Sequence, residues 1–303
     1  MRTAKVLIIS ILSIIFLFVS VEKFTKTPPL PAAQEAKVVR ATLSSYVAYL
    51  FYKQSFGYTL VGAKPMSFTT DLLPMPLAFH VSSFLYTFHN SENFLVRIWK
   101  KRNSIVTIVF INKKLFRKVY NEHKALFQET LGTASADDLL HRIATSEKSF
   151  FNIIHNNQTI LGTLLGYGKG NASLFARWCE IFPNEYSIFY EPNIYFPKRH
   201  HTLSIELPKA LIPSPPFKTL EEERAWFSKY FNKGAYDFTT FCLADVVFPV
   251  GFRVTDSEET EQLVKRYAKA KKVLTKLFTE RDCLEVVEEQ LHAAHPLMFD
   301  EMT

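Results

Sequence analysis

Residues 6–21 form an apolar run of sixteen positions, broken only by the small hydroxyls of Ser10, Ser13 and Ser20. Apolar on every face and set beside a linker, the run suits a membrane better than the core of a domain, whose helices usually carry one polar face. Arg2 and Lys5 precede it, and a basic start followed by an apolar stretch marks a secretory signal or a signal anchor. Crossing a hydrocarbon core takes roughly 20 residues, and Phe24 with the aliphatic stems of Lys23 and Lys26 extends the run toward that length. Cleavage needs small residues just after the run, where Phe18 and Ser20, or Val19 and Val21, stand instead; Ala32 and Ala33 come too late. The segment therefore reads as an uncleaved single-pass transmembrane anchor rather than a cleaved signal.

Arg2 and Lys5 on one side face Lys23, Lys26, Lys37 and Arg40 on the other, so the positive-inside rule votes only weakly on orientation. The export-like position of the run places the domain outside the cytoplasm. Thr27-Pro28-Pro29-Leu30-Pro31 stiffens the chain into an extended spacer. Residues 1–36 are thus anchor and linker, and residues 37–303 one globular domain. With aromatic residues at 15%, 28 of them Phe, that domain can bury a substantial core.

The net charge of +7 comes from 36 Lys and Arg spread among 29 acidic residues, without the clustered basic face that nucleic-acid recognition needs. No nucleic acid is expected as a partner; an anionic membrane surface uses the same charge. Cys179, Cys242 and Cys283 lie far apart with no CxxC spacing, which argues against a disulfide scaffold or a structural zinc.

Apolar positions at Val38, Val39, Leu43, Val47, Leu50 and Phe51 give an amphipathic first helix, ending near Gly57. The short stretch 58–65 closes on Gly62 and Pro65 and reads as a surface loop. Residues 94–100 and 105–111, rich in β-branched and aromatic side chains, flank a polar turn and predict a β-hairpin. Asn112 caps a helix over 113–130, with Leu115, Phe116, Val119, Leu126 and Phe127 on one face and Gly132 past its end. Ser135 with Asp138, and Thr219 with Glu222, form capping boxes for two further helices, the second running to about Asn232 before Gly234. A strand is predicted over 203–207. Leu263, Tyr267, Ala270, Leu274 and Leu277 recur at helical spacing, and a second helix over 283–291 completes a C-terminal helical hairpin.

Four glycines fall within residues 162–170, too many for helix interior. They predict a helix ending at Gly166 or Gly168, a tight turn, and a new helix begun by Asn171. Gly168-Lys169 invites comparison with a phosphate loop, but that motif has Gly at position 163 and Ser or Thr at 170, where this chain has Thr163 and Gly170. The glycines still permit close backbone approach, so Lys64, Gly166, Tyr167, Gly168, Lys169 and Asn171 are the candidate ligand or partner turn.

Other chemistry is thinner. His200 and His201 would point to opposite faces of a strand, and His292 and His295 with Glu288 fall where the last helix frays before Pro296, so no metal site is assigned. No Gly-x-Ser-x-Gly elbow exists, and no Cys lies in a local catalytic signature. The acid pairs Asp137-Asp138 and Glu221-Glu222 belong to first helical turns, where the dipole explains them. The sequons at Asn157 and Asn171 read as coincidence. No catalytic residue and no cofactor is implied.

The combination of Tyr58-Thr59-Leu60-Val61-Gly62-Ala63-Lys64-Pro65, the strand-to-helix step over 108–116 with Asn112-Lys113-Lys114, and the stretch 161–175 resembles a family of uncharacterised proteins of chlamydia-like intracellular bacteria. Its members carry an N-terminal hydrophobic segment, often with Phe at the position of Val61. The resemblance runs from about Leu43 to Phe175. It implies membrane or exported placement and brings no activity, cofactor or catalytic residue.

These readings predict a helix-rich α+β domain with a β-hairpin and a C-terminal helical hairpin, behind an N-terminal transmembrane helix. The expected function is that of a membrane-anchored, non-enzymatic envelope or host-interface interaction protein. The alternative is an enzyme or small-ligand-binding protein with its site at the 58–65 and 166–171 turns. A pocket where Lys64, Tyr167, Lys169 and Asn171 converge would favour a ligand, and a filled core would favour the interaction protein.

Overall fold

The computed structural model describes residues 32–52, 55–72, 75–87, 91–100, 105–182, 217–228 and 257–293. The predicted anchor over 6–21, the strand over 203–207, Gly234, His200, His201, His295 and Cys242 lie outside them. No helix of the described residues is long and apolar enough to cross a membrane. The chain divides into two compact units, Met1–Thr42 and Leu43–Thr303. The first is described only where it begins helix α1 (Ala32–Tyr52).

The second unit is helix-rich α+β, built on one three-stranded antiparallel sheet. The predicted hairpin is present as β2 (Phe94–Lys100) and β3 (Ile105–Asn112). Sequence reading missed β1 (Met66–Leu72), which pairs with the free side of β3, so the order is β1-β3-β2 and β3 is central. Its inward-facing Ser67 and Thr69 hid it, because a strand with buried hydroxyls lacks apolar alternation.

Both faces of the sheet are covered. Phe94, Val96, Val106, Ile108 and Phe110 pack on one face against α1, α2 (Phe56–Leu60) and α3 (Met75–Tyr86). The same cluster takes in α11 (Glu258–Glu280) and α12 (Cys283–His292), the predicted C-terminal helix pair. Leu263, Tyr267, Ala270, Leu274 and Leu277 are all buried, as their spacing requires. Met66, Leu95, Trp99, Val109 and Ile111 pack on the other face against five helices. These are α4 (Lys113–Glu122), α5 (Lys124–Leu131), α6 (Ala136–Thr145), α7 (Phe150–Ile153) and α8 (Gln158–Leu164). A smaller cluster joins α9 (Lys169–Ile181) to α10 (Leu220–Trp226) through Leu174, Trp178, Ile181 and Phe227, beside an ion pair of Arg177 with Glu223.

The predicted caps hold. Asn112 accepts from the Leu115 N–H, Ser135 from Asp138 and Thr219 from Glu222, and Gly132 ends α5 in the left-handed region. Four expectations need correction. The first helix stops at Tyr52, ahead of Gly57. The helix over 113–130 breaks at His123 into α4 and α5: seven residues of continuous helix would separate Tyr120 from Phe127 by about 10.5 Å of rise, whereas their rings stack at 4.9 Å. The stretch 58–65 is buried throughout, because it crosses beneath α11 rather than running over the surface. Finally, the helix after the glycine turn starts at Lys169, so Asn171 sits inside its first turn, and Gly168 is the cap residue.

Candidate functional site

The six residues singled out from sequence fall into two adjoining groups around one glycine turn. At Gly166, φ is 76°, and the Tyr267 hydroxyl of α11 donates to its carbonyl at 2.6 Å. A Cβ there would sit 2.8 Å from that hydroxyl oxygen and 2.9 Å from Pro65 Cδ, so both conformation and space demand glycine. Pro65 thereby brings the 58–65 stretch against the turn.

Gly168, with φ 84°, precedes α9, whose first N–H groups have no helical partner. Glu259, in the first turn of α11, supplies one: its carboxylate accepts from Gly170 N at 3.2 Å and Asn171 N at 3.1 Å. The carboxylate also lies against Gly168 so closely that a Cβ would approach Glu259 Cδ to 2.3 Å. An anion therefore does occupy this helix N-terminus, as the dipole favours, but it is the chain's own. Asn171 is buried; its side chain donates to Tyr167 O and to Thr260 Oγ1, both at 3.1 Å. Of the two sequon asparagines, Asn157 likewise has a structural role, capping α8. Lys169 is exposed and takes no part in the joint. Its charge, after burial itself, holds the nearby His123 imidazole below its usual range.

The second group surrounds Lys64, which is 1% exposed. Its Nζ lies 5.0 Å from the centroid of the Tyr167 ring and donates to Ser55 Oγ at 3.1 Å. No acid pairs with it among the described residues. Burial therefore governs its titration and pushes the ammonium down to about 7. Hydroxyls continue from Ser55: Ser67 Oγ donates to Ser55 O at 3.1 Å and lies 2.8 Å from Thr59 Oγ1. Tyr58 and Tyr267 meet edge to face at 5.6 Å, and burial pushes both phenols well above the usual range.

Of the six, Lys64, Gly166 and Tyr167 lie together. Asn171 joins through Glu259 and Thr260, and Lys169 does not join. Sequence reading missed Ser55, Ser67, Glu259 and Tyr267. Ser55 and Ser67 carry no motif, and Glu259 looks like an ordinary first-turn acid. Cys179 is half-buried in the α9 cluster and Cys283 is buried at the start of α12, and no cluster of metal-ligating side chains exists among the described residues. Compared with protein-family models, curated proteins and solved structures, the chain matches none of them.

Proposed function

We propose that this chain is a membrane-tethered interaction protein: the run over 6–21 is the anchor, the Pro-rich segment a spacer, and the folded domain acts outside the cytoplasm as an envelope or host-interface component. The observation that carries this reading is the apolar run over 6–21 behind Arg2 and Lys5, and the Glu259 carboxylate seated on α9 supports an interaction role by turning the phosphate-like loop into an internal joint. The basic residues flanking the apolar run, and the diffuse positive charge, support contact with an anionic bilayer. Deleting residues 1–22 moves the protein from the membrane to the soluble fraction with its fold retained, and protease added to intact cells digests the domain of the full chain. Persistence of the truncated chain at the membrane would refute the tether, its recovery only in aggregates would refute the independent fold, and full protection from protease would refute the orientation.

One observation favours a second reading, a small-ligand or enzymatic site at the 58–65 and 166–171 turns. It is the buried amine of Lys64, which has a hydroxyl and an aromatic face as neighbours and no counter-charge among the described residues.

A further inference from the structure

We propose that Ser55 and Lys64 form a nucleophile and general-base pair for acyl transfer from an ester with a small apolar acyl group, with Ser67 holding the nucleophile in place. The proposal rests on the second reading above. Three independent features carry it.

Geometry comes first. Lys64 Nζ and Ser55 Oγ are 3.1 Å apart, within reach for proton transfer, and Ser67 Oγ stands 3.4 Å from Ser55 Oγ while donating to the Ser55 carbonyl. That is a nucleophile with a base in reach and a third group that orients the nucleophile, here with lysine in the role usually filled by histidine. Backbone conformation is the second feature. Ser55 has φ 62°, a left-handed state in which a residue with a side chain is strained, and strain of this kind gathers at functional sites. It lies at the junction of α1 and α2, where the strain aims its side chain at Lys64 rather than into a cap, since no side-chain cap bond is made. The third is electrostatic. A lysine serves as a base only when neutral, and Lys64 is buried with no acid among the described residues to hold its proton. Tyr58, which donates its N–H to the Ser55 carbonyl, and Tyr167, whose ring faces Lys64, give the surroundings an aromatic character suited to a small acyl group.

The step balances without any oxidant or reductant. The neutral amine of Lys64 takes the Ser55 hydroxyl proton as Oγ bonds to the acyl carbon. The ammonium returns that proton to the departing alkoxide as the carbon–oxygen bond of the ester breaks. Water then attacks the acyl-serine ester, giving its proton to Lys64, which passes it back to Ser55 Oγ. With Ser55 only 4% exposed, the donor reaches Oγ when the turn opens locally, a fast pre-equilibrium ahead of the slower proton transfer and bond formation.

The test incubates the intact chain with a small dialkyl fluorophosphonate and maps the adduct by peptide mass spectrometry between pH 5.5 and 9. Expected is one adduct on Ser55, formed faster as pH rises with a midpoint near 7. Ser55→Gly abolishes it; glycine suits φ 62°, which offsets the lost hydrogen bond to Lys64, so this variant folds, as denaturation checks. Lys64→Met slows labelling by about a hundredfold. Labelling of Ser55 that is equally fast in Lys64→Met, or that shows no pH midpoint, would overturn the pair. An adduct confined to Lys64 or Tyr167 overturns the pair while leaving a ligand site there, and no adduct anywhere in the cluster overturns both.

Discussion

Replacing Lys64 by methionine changes the pH dependence of stability in a direction the structure dictates. In the folded chain burial lowers the ammonium to about 7, against the ordinary lysine value of 10.5 that the unfolded chain restores. Below pH 7 both states hold the proton and the buried charge weighs fully against folding. Between pH 7 and 10.5 the unfolded chain keeps a proton that the folded one has released, so stability rises with pH. The slope approaches about 1.4 kcal/mol per pH unit, which over three units amounts to about 4 kcal/mol. Tyr58 and Tyr267 act oppositely. Burial raises both phenols, so above pH 10 the unfolded chain ionises where the folded one does not, and stability falls. The Lys64 ramp is therefore read between pH 7 and 10. Lys64→Met removes the ramp and keeps the fall. At pH 6 the variant is at least as stable as the parent, because an apolar chain of similar length replaces an unpaired charge. Urea denaturation of the intact chain followed by the fluorescence of Trp99, Trp178 and Trp226 measures this at half-unit intervals. Parallel curves for parent and variant across that window would refute the reasoning, for they would mean that Lys64 is solvated or paired in the folded state.

The glycine turn yields further expectations. Gly168→Val lowers stability by about 2–4 kcal/mol, combining a strained positive φ with collision against Glu259, whereas Lys169→Ala changes it by less than about 0.5 kcal/mol, as exposed sites do; equal melting of parent and Gly168→Val would discard the turn geometry. Glu259→Ala costs about 1–3 kcal/mol by stranding the N–H groups of Gly170 and Asn171. In the double variant the collision disappears while the φ strain stays, so the two losses sum to less than their separate values, and strict additivity would deny the contact.

What the sequence determined by itself is local. The caps at Asn112, Ser135 and Thr219, the left-handed stop at Gly132 and the hairpin of β2 with β3 involve residues within a few positions or one turn of each other, so composition and spacing expose them. The apolar face of α11 was equally legible, because one helix repeats a single burial pattern along its length. Tertiary structure alone decided the rest. The burial of the stretch 58–65, the pairing of β1 with β3 and the break at His123 follow from what lies across the fold, where packing overrides the local pattern. Glu259 reaches Gly170 and Asn171 across 89 and 88 residues of chain, and Ser55 meets Lys64 only because β1 carries Ser67 back beneath α2. Sequence can say that an acid opens α11 and that glycines close α8. That the acid fills the place an external anion would take is a fact of three-dimensional contact, since the free energy of a partly buried carboxylate depends on donors that no neighbouring residue supplies.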